Sequence, residues 1–450
     1  GVFAGSPVGD IYASHGSGET QITLKNTTVA SGDNNINIGS NAVGSVGAYV
    51  GDTSVDLENG KLISVADDGT KTTTTNAERK YLRSGDITAD TSSKISVKGT
   101  SNYGFVVDNH AYYSEFNTSA TTATDIDIMT QGSDKTLHGI GINEGEITVS
   151  ANKSVGFALI KGGDSKNSGT ISITSGSTGS IGFYGEQDKF ENTGTIEVTT
   201  TDKKKNIGVA LNGKDSKQKI IFTNTNSINI NNNGTTATDG MTNTGVYAIG
   251  NYEFNHNSGN INITAGENIG MYVAGTGTGT NTNTGKVTVT SDGSIGMMTT
   301  GTGTLTNAGE LTVTGGNNAT NTRGTIGMSA GIGSTIDSST GKATIDVKGD
   351  KSTGVYSDGT LKLGESTVKT SDKAVNYFAD NNGKIEIAAG KTSTATTGQS
   401  SLLFYTEGNG KILVNGTMNA TIKGGATPAL RGTAFYYKSP GASYGVFDKD

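Results

Sequence analysis

The chain has 450 residues, including 68 glycines and 3 prolines, no cysteine, no tryptophan and a net charge of −7. Hydrophobic residues, at 32%, are too few for one thick globular core, while 17% charged residues with so little proline do not describe a disordered chain. The lack of cysteine excludes disulfides, thiol catalysis and cysteine-ligated metal, and an acidic balance with scattered Lys and Arg speaks against nucleic acid as a partner.

In chain order, residues 1–142 read as an irregular β-helical N-terminal part. Ile36/Ile38 and Ile95/Val97 keep the alternation of a half-buried strand. Insertions are expected at 66–92 and 108–138. Gly1-Val2-Phe3-Ala4 does not begin a secretory signal, so a signal peptide is expected outside this stretch.

Residues 143–450 read as regular coils with one insertion at 212–244. Two motifs alternate there. The first is Asn-x-Gly-x followed by a strand, as in Asn143-Glu144-Gly145-Glu146 before Ile147 and Val149, and Asn192-Thr193-Gly194-Thr195 before Ile196 and Val198. It returns at Asn167, Asn257, Asn283 and Asn307, with degenerate copies at Ser339 (Ile345, Val347), Asn381 (Ile385, Ile387) and Asn409 (Ile412, Val414). The second is apolar-Gly-apolar, as in Ile181-Gly182-Phe183 and Ile269-Gly270-Met271. Gly156, Gly182 and Gly208 lie 26 residues apart. Each repeat thus holds two short β segments, and no helical period occurs.

A unit this short cannot bury its apolar face alone, whereas stacked units bury it against their neighbours. The expected fold is all-β, a right-handed parallel β-helix with loop insertions, of roughly 14–17 coils and about 70–80 Å at ~4.8 Å per coil. Ile196, Ile261 and Val287 are expected inside. The recurrent Asn is expected to hydrogen-bond along the stack in left-handed backbone, and the Gly two residues later to supply positive φ. A meander of antiparallel hairpins is the rival, but it calls for two-residue Asn-Gly turns.

The Asn-x-Gly-x-Ile strand followed by Ile-Gly-Val/Met-Tyr resembles the passenger repeats of large type V autotransporter adhesins, particularly fusobacterial ones. The resemblance covers residues 143–415 well and 1–142 loosely. It implies a bacterial cell-surface protein, exported through its own C-terminal outer-membrane barrel, with a passenger that attaches to host proteins, host glycans or other bacteria. The barrel, like the signal peptide, is expected outside this chain.

No catalytic centre is expected. Asp67-Asp68 and Asp125-x-Asp127 read as loop acids, although β-helices include polysaccharide-cleaving enzymes. His15, His110, His138 and His256 share no metal spacing and read as surface or turn residues; no metal or cofactor is expected. Alternation puts Ile269, Met271 and Val273 on one face of the second strand, with Gly270 and Tyr272 on the other. Tyr184, Tyr247, Tyr272 and Tyr356 then form an outward stripe beside a glycine groove, one candidate contact surface. Tyr112, Tyr113 and Phe116, in the insertion at 108–138, form another. Phe435-Tyr436-Tyr437 is expected to pack into further coils. A passive spacer or self-associating stalk is the alternative to an adhesive segment.

Overall fold

The computed structural model describes residues 2–4, 21–24, 36–51, 57–58, 61–65, 71–74, 86–108, 140–161, 164–200, 205–213, 219–232, 243–265, 267–275, 280–316, 324–371, 373–424 and 431–438. Its strands stack as a right-handed parallel β-helix. One coil shows the plan. A front strand, Ile181–Gly185, carries the apolar-Gly-apolar motif; a second, Asp188–Asn192, ends on the recurrent Asn; a third, Thr195–Thr200, carries the aliphatic pair. The next coil begins at Ile207–Gly213. Each strand pairs in parallel with its equivalents above and below, for example Ile171↔Ile196↔Ile228.

There are therefore three walls, not the two segments expected. The second wall was missed because its strands are short and carry few apolar residues, such as Phe190, Phe222 and Phe254 at alternate positions before the corner. In Thr335–Lys348 and Thr360–Ser371 the second and third walls run on as one strand across the corner. The degenerate copies at Asn381 and Asn409 belong to the second wall. Ile385 and Ile387 pair with Leu361 and Leu363, and Ile412 with Ile385. Their third-wall partners are the polar strands Thr392–Thr397 and Thr417–Ile422.

Among the described residues the front wall has 14 strands, from Val2–Ala4 to Thr433–Lys438, so this part of the rod measures about 65 Å at ~4.8 Å per rung, a little shorter than expected. Described strands before residue 142 lie in the same walls: Tyr103–Asp108 pairs with both Val46–Gly51 and Val155–Lys161. Among the described residues the one antiparallel element is a small sheet of Leu57–Glu58, Lys61–Val65 and Lys71–Thr74. Of the stretch read as an insertion at 66–92, Asp86–Ala89 is already back in the stack. The stretch 212–244 likewise holds two strands of one coil, Ile220–Asn224 in the second wall and Ser227–Asn232 in the third. Of the insertion read at 108–138, all but Asp108 lies outside the described residues.

The interior is a column of side chains. Ile196, Ile261 and Val287 are fully buried, in line with Ile95, Ile147 and Ile171. Opposite them Phe183 and Phe190 stack at 3.9 Å between ring centroids, and the series continues through Phe222 and Phe254 at 5.8 Å. Burying whole aliphatic side chains is worth about 1.5–3 kcal/mol each, which is how thin coils accumulate stability.

The motif glycines serve sterics rather than turn conformation. Gly145, Gly169, Gly194 and Gly309 are not among the residues with positive φ, and neither are the Asn residues two positions before them, contrary to expectation. A side chain at Gly194 would instead run into the carbonyl of Gly169 on the neighbouring rung. In the front strand a Cβ at Gly182 would lie 2.7 Å from Gly208 O and 3.0 Å from Ile196 Cγ2 across the interior. This glycine therefore faces inward, and the expected outward glycine groove does not exist.

Two polar ladders line the corners. Between the second and third walls the recurrent Asn side chains bond along the rod: Asn143 Nδ2 donates to Asn167 Oδ1 (2.7 Å), Asn167 to Asn192 (2.7 Å) and Asn192 to Asn224 (2.6 Å). Before the front wall a Ser or Asn on most coils accepts from the backbone of the coil before, and Thr325 takes the place on one. Asn102 N–H donates to Ser154 Oγ (3.0 Å), Ser180 N–H to Asn206 Oδ1 (2.9 Å) and Asn206 N–H to Asn243 Oδ1 (2.8 Å).

Candidate binding face

The front strand departs from simple alternation. Because Gly270 faces inward beside Met271, Ile269 is displaced to the outer side together with Tyr272; Met271 and Val273 belong to the interior cluster and Ile269 does not. The same holds in other coils, where Val155, Ala158, Ile181 and Tyr184 form an apolar cluster separate from the core. The outer surface of the front wall thus carries two columns along its length, one largely aliphatic and one largely aromatic, and the longer strands add a third outward position, held by Ile160, Asn212, Ile249 and the pair Glu407 and Lys438.

Tyr184, Tyr247, Tyr272 and Tyr356 all stand in the aromatic column and are half-buried. Tyr247 and Tyr272 are neighbours, edge to face at 5.4 Å. Ala210 separates Tyr184 from them, and Met298 and Ser329 separate Tyr272 from Tyr356. Beyond Tyr356 the column becomes continuously aromatic with residues that the motif search missed. Phe378 meets Tyr356 at 5.2 Å, Tyr405 stacks on Phe378 at 4.3 Å, and Tyr436 meets Tyr405 at 5.2 Å. The signal failed there because Asn376 and Leu403 replace the marker glycine. Tyr436, expected in packing against further coils, points outward in this column and is 49% exposed.

The tyrosine hydroxyls are anchored. Tyr184 donates to Glu186 Oε1 (2.7 Å) and accepts from Asn212 Nδ2 (2.9 Å); burial, then the Glu186 bond, push its pKa up to about 12. Tyr405 donates to Glu407 Oε2 (2.9 Å) and is also raised to about 12, by burial first. Tyr356 donates to Asp380 Oδ2 (3.0 Å), and burial with that carboxylate raises it further. Tyr272 shares a bond with Thr300 Oγ1 (3.1 Å). These bonds fix the rings of Tyr184, Tyr272, Tyr356 and Tyr405, so this part of the column is a preformed surface with carboxylates along one side.

Tyr112, Tyr113 and Phe116 lie outside the described residues, as do His15, His110, His138 and the two acid clusters. His256 contradicts its reading as a surface or turn residue. It is fully buried, in the place that Asn takes on neighbouring rungs of the corner ladder. Asn224 Nδ2 donates to its Nδ1 (2.9 Å), and its Nε2 lies 3.2 Å from Lys286 O, which fixes the Nε2–H tautomer. Burial lowers its pKa to about 4. Among the described residues no three His, Cys, Asp or Glu side chains are grouped to hold a metal ion.

These features define a rod-forming parallel β-helix with one apolar, aromatic outer wall. The family model described as the BigA third pectate lyase-like domain matches residues 117–341, half of the chain, and the chain belongs to that family. The family is one of bacterial surface adhesin-like proteins, and the lyase-like part of its description names a fold. No curated protein and no solved structure matches the chain.

Proposed function

We propose that the chain is part of the extracellular stalk of a bacterial autotransporter adhesin, held at the outer membrane by a C-terminal barrel outside this chain, and that its front wall attaches the cell to a surface partner. That partner is a host protein, a host glycan or another bacterial cell. In this reading the chain has no catalytic centre. The observation that carries the reading is the outer surface of the front wall: two adjoining columns, uncharged and mostly apolar or aromatic, that run the length of the rod. Interfaces that bind by buried aromatic anchors use such residues, with the polar tip of tyrosine held in place.

The test is attachment. Beads coated with the 450-residue chain are expected to bind host epithelial cells or bacteria, and Tyr247→Ala with Tyr272→Ala is expected to reduce binding about tenfold at unchanged thermal stability. Equal binding by wild type and variant would remove the front wall from the account. The uniform stacking of coils also suits a spacer that holds another domain away from the membrane. Excision of whole coils with full retention of attachment favours that reading instead.

A further inference from the structure

Both corner ladders lapse in the C-terminal coils. At the corner between the second and third walls, Asn307 Nδ2 donates to Ser338 Oγ (2.9 Å), and the residues next in register are Leu363 and Ile387. Before the front wall, Ser352 Oγ still accepts from Thr325 N–H (3.2 Å), but the equivalent residue one coil on is Ala374. The same coil loses the marker glycine, since Asn376 follows Gly354 in register.

The core changes its plan at this point. In earlier coils the front-wall glycine lies over an aliphatic side chain of the third wall, as Gly182 over Ile196, Gly245 over Ile261 and Gly327 over Ile345. Along the third wall the inward residues then shrink, one register running Val313, Ile345, Val368, Ala395 and the other Leu311, Ala343, Ser366, Ser393. The front wall grows in exchange, through Val355, Tyr377 and Phe404. With Ala395 opposite, a side chain longer than hydrogen fits where glycine stood.

This exchange leaves one strand poorly specified. Thr392–Thr397 reads Thr-Ser-Thr-Ala-Thr-Thr, small side chains on both faces. Register is set strongly only where one face is apolar and buried. A slip of two residues keeps the outward set outward and exchanges one small inward side chain for another. Asn376 and Tyr377, both fully buried, supply what the pattern lacks. Asn376 Nδ2 donates to Val368 O (2.8 Å) and Thr396 O (3.2 Å), and its Oδ1 accepts from Thr370 Oγ1 (2.7 Å) and Thr397 Oγ1 (2.9 Å). One amide thus crosses the interior and bonds two successive rungs of the third wall. Beside it the Tyr377 hydroxyl lies 2.7 Å from Ser393 Oγ, itself 2.5 Å from Ser366 Oγ on the neighbouring rung.

We propose that Asn376, seconded by Tyr377, is a register lock: it fixes the offset between third-wall rungs where both ladders and the apolar pattern give out. A buried Asn sets the register of coiled-coil helices by the same physics, because any other alignment strands its amide away from water. The lock is independent of what the front wall binds.

Cysteine pairs on the outward face of the third wall read the offset in this cysteine-free chain. Thr367 and Thr394 are in register, whereas Thr367 and Thr396 lie about 8 Å apart, beyond disulfide reach, and meet only after a two-residue slip. With Asn376 in place, Thr367→Cys/Thr394→Cys should oxidise to an intramolecular disulfide and Thr367→Cys/Thr396→Cys should stay reduced. Adding Asn376→Gly should raise closure of the slipped pair about tenfold. Adding Ala395→Ile as well, which restores the glycine-over-aliphatic plan of the earlier coils, should return closure to its starting level. If Asn376→Gly loses the β circular dichroism of the rod, Tyr377→Phe takes its place and the same slipped pair is read. Slipped-pair closure with Asn376 in place overturns the lock, as does closure unchanged by the variant while the in-register pair still forms, or a rise that Ala395→Ile fails to reverse. A lower melting temperature with neither pair altered shows a packing role alone and overturns it too.

Discussion

At the scale of single residues, His256 is the most consequential side chain in the corner ladder. Its neutral ring continues the ladder because Nδ1 accepts from Asn224. A proton on Nδ1 would face the Asn224 amide hydrogens. Turning that amide over would forfeit its bond to Asn226 O (2.7 Å) and set its Nδ2 against that of Asn192. In the unfolded chain His256 titrates near its ordinary value of 6.5; in the fold it stays neutral down to about 4. The fold therefore keeps its full stability above pH 6.5 and loses it as pH falls from there towards 4, by about 3 kcal/mol in all. Protection factors for hydrogen exchange of the strand Tyr252–His256, corrected for the intrinsic pH dependence of exchange, should fall across that window, and His256→Asn should abolish the change; equal pH dependence of protection in the two proteins contradicts this account. Gly182 gives a second prediction. Gly182→Ala forces a methyl between Gly208 O and Ile196 Cγ2, and urea titration should show a loss of about 1–3 kcal/mol.

At the scale of elements, the asparagine ladder is a wire of oriented amides, and its middle matters more than its end. Asn192→Ala strands the Asn167 donor and the Asn224 acceptor in a buried corner, a cost of roughly 2–4 kcal/mol. Asn143 heads the ladder. Its Oδ1 has no hydrogen-bond partner, since the register sets Ala89 opposite it. Ala89→Asn should extend the ladder by one rung and raise stability by about 1 kcal/mol, read as a shift of the urea midpoint. This ladder was legible in the sequence, because Asn, Gly and the following Ile/Val pair recur together and one corner imposes all three. The second wall was not. Strands such as Ser165–Asn167 and Thr304–Asn307 are too short for their period to stand out from loops. Nor was the front strand's facing, for alternation assumes a flat strand, whereas the inward glycine beside Met271 throws Ile269 outward. The Ser or Asn before nearly every apolar-Gly-apolar triplet (Thr325 is the exception) was in plain view, and reading it would have revealed the second ladder.

At the scale of the whole molecule, the architecture was readable because a solenoid repeats its rule: the burial that makes Ile196 an interior residue also makes Ile228 and Ile261 interior. The candidate surface was readable in part. Four tyrosines were placed in one column by the glycine marker, and Phe378, Tyr405 and Tyr436 escaped because their coils had lost it. The account stands or falls on parallel, in-register stacking. Ser172 and Glu197 are outward partners on adjacent coils of the third wall, so their Cα atoms lie about 4.8 Å apart, within disulfide range. In this cysteine-free chain, Ser172→Cys/Glu197→Cys should oxidise to an intramolecular disulfide seen by mass spectrometry, whereas Ser172→Cys/Asn229→Cys, two coils apart, should remain reduced. Failure of the first pair to close, or equal closure of the second, would contradict the stacked helix.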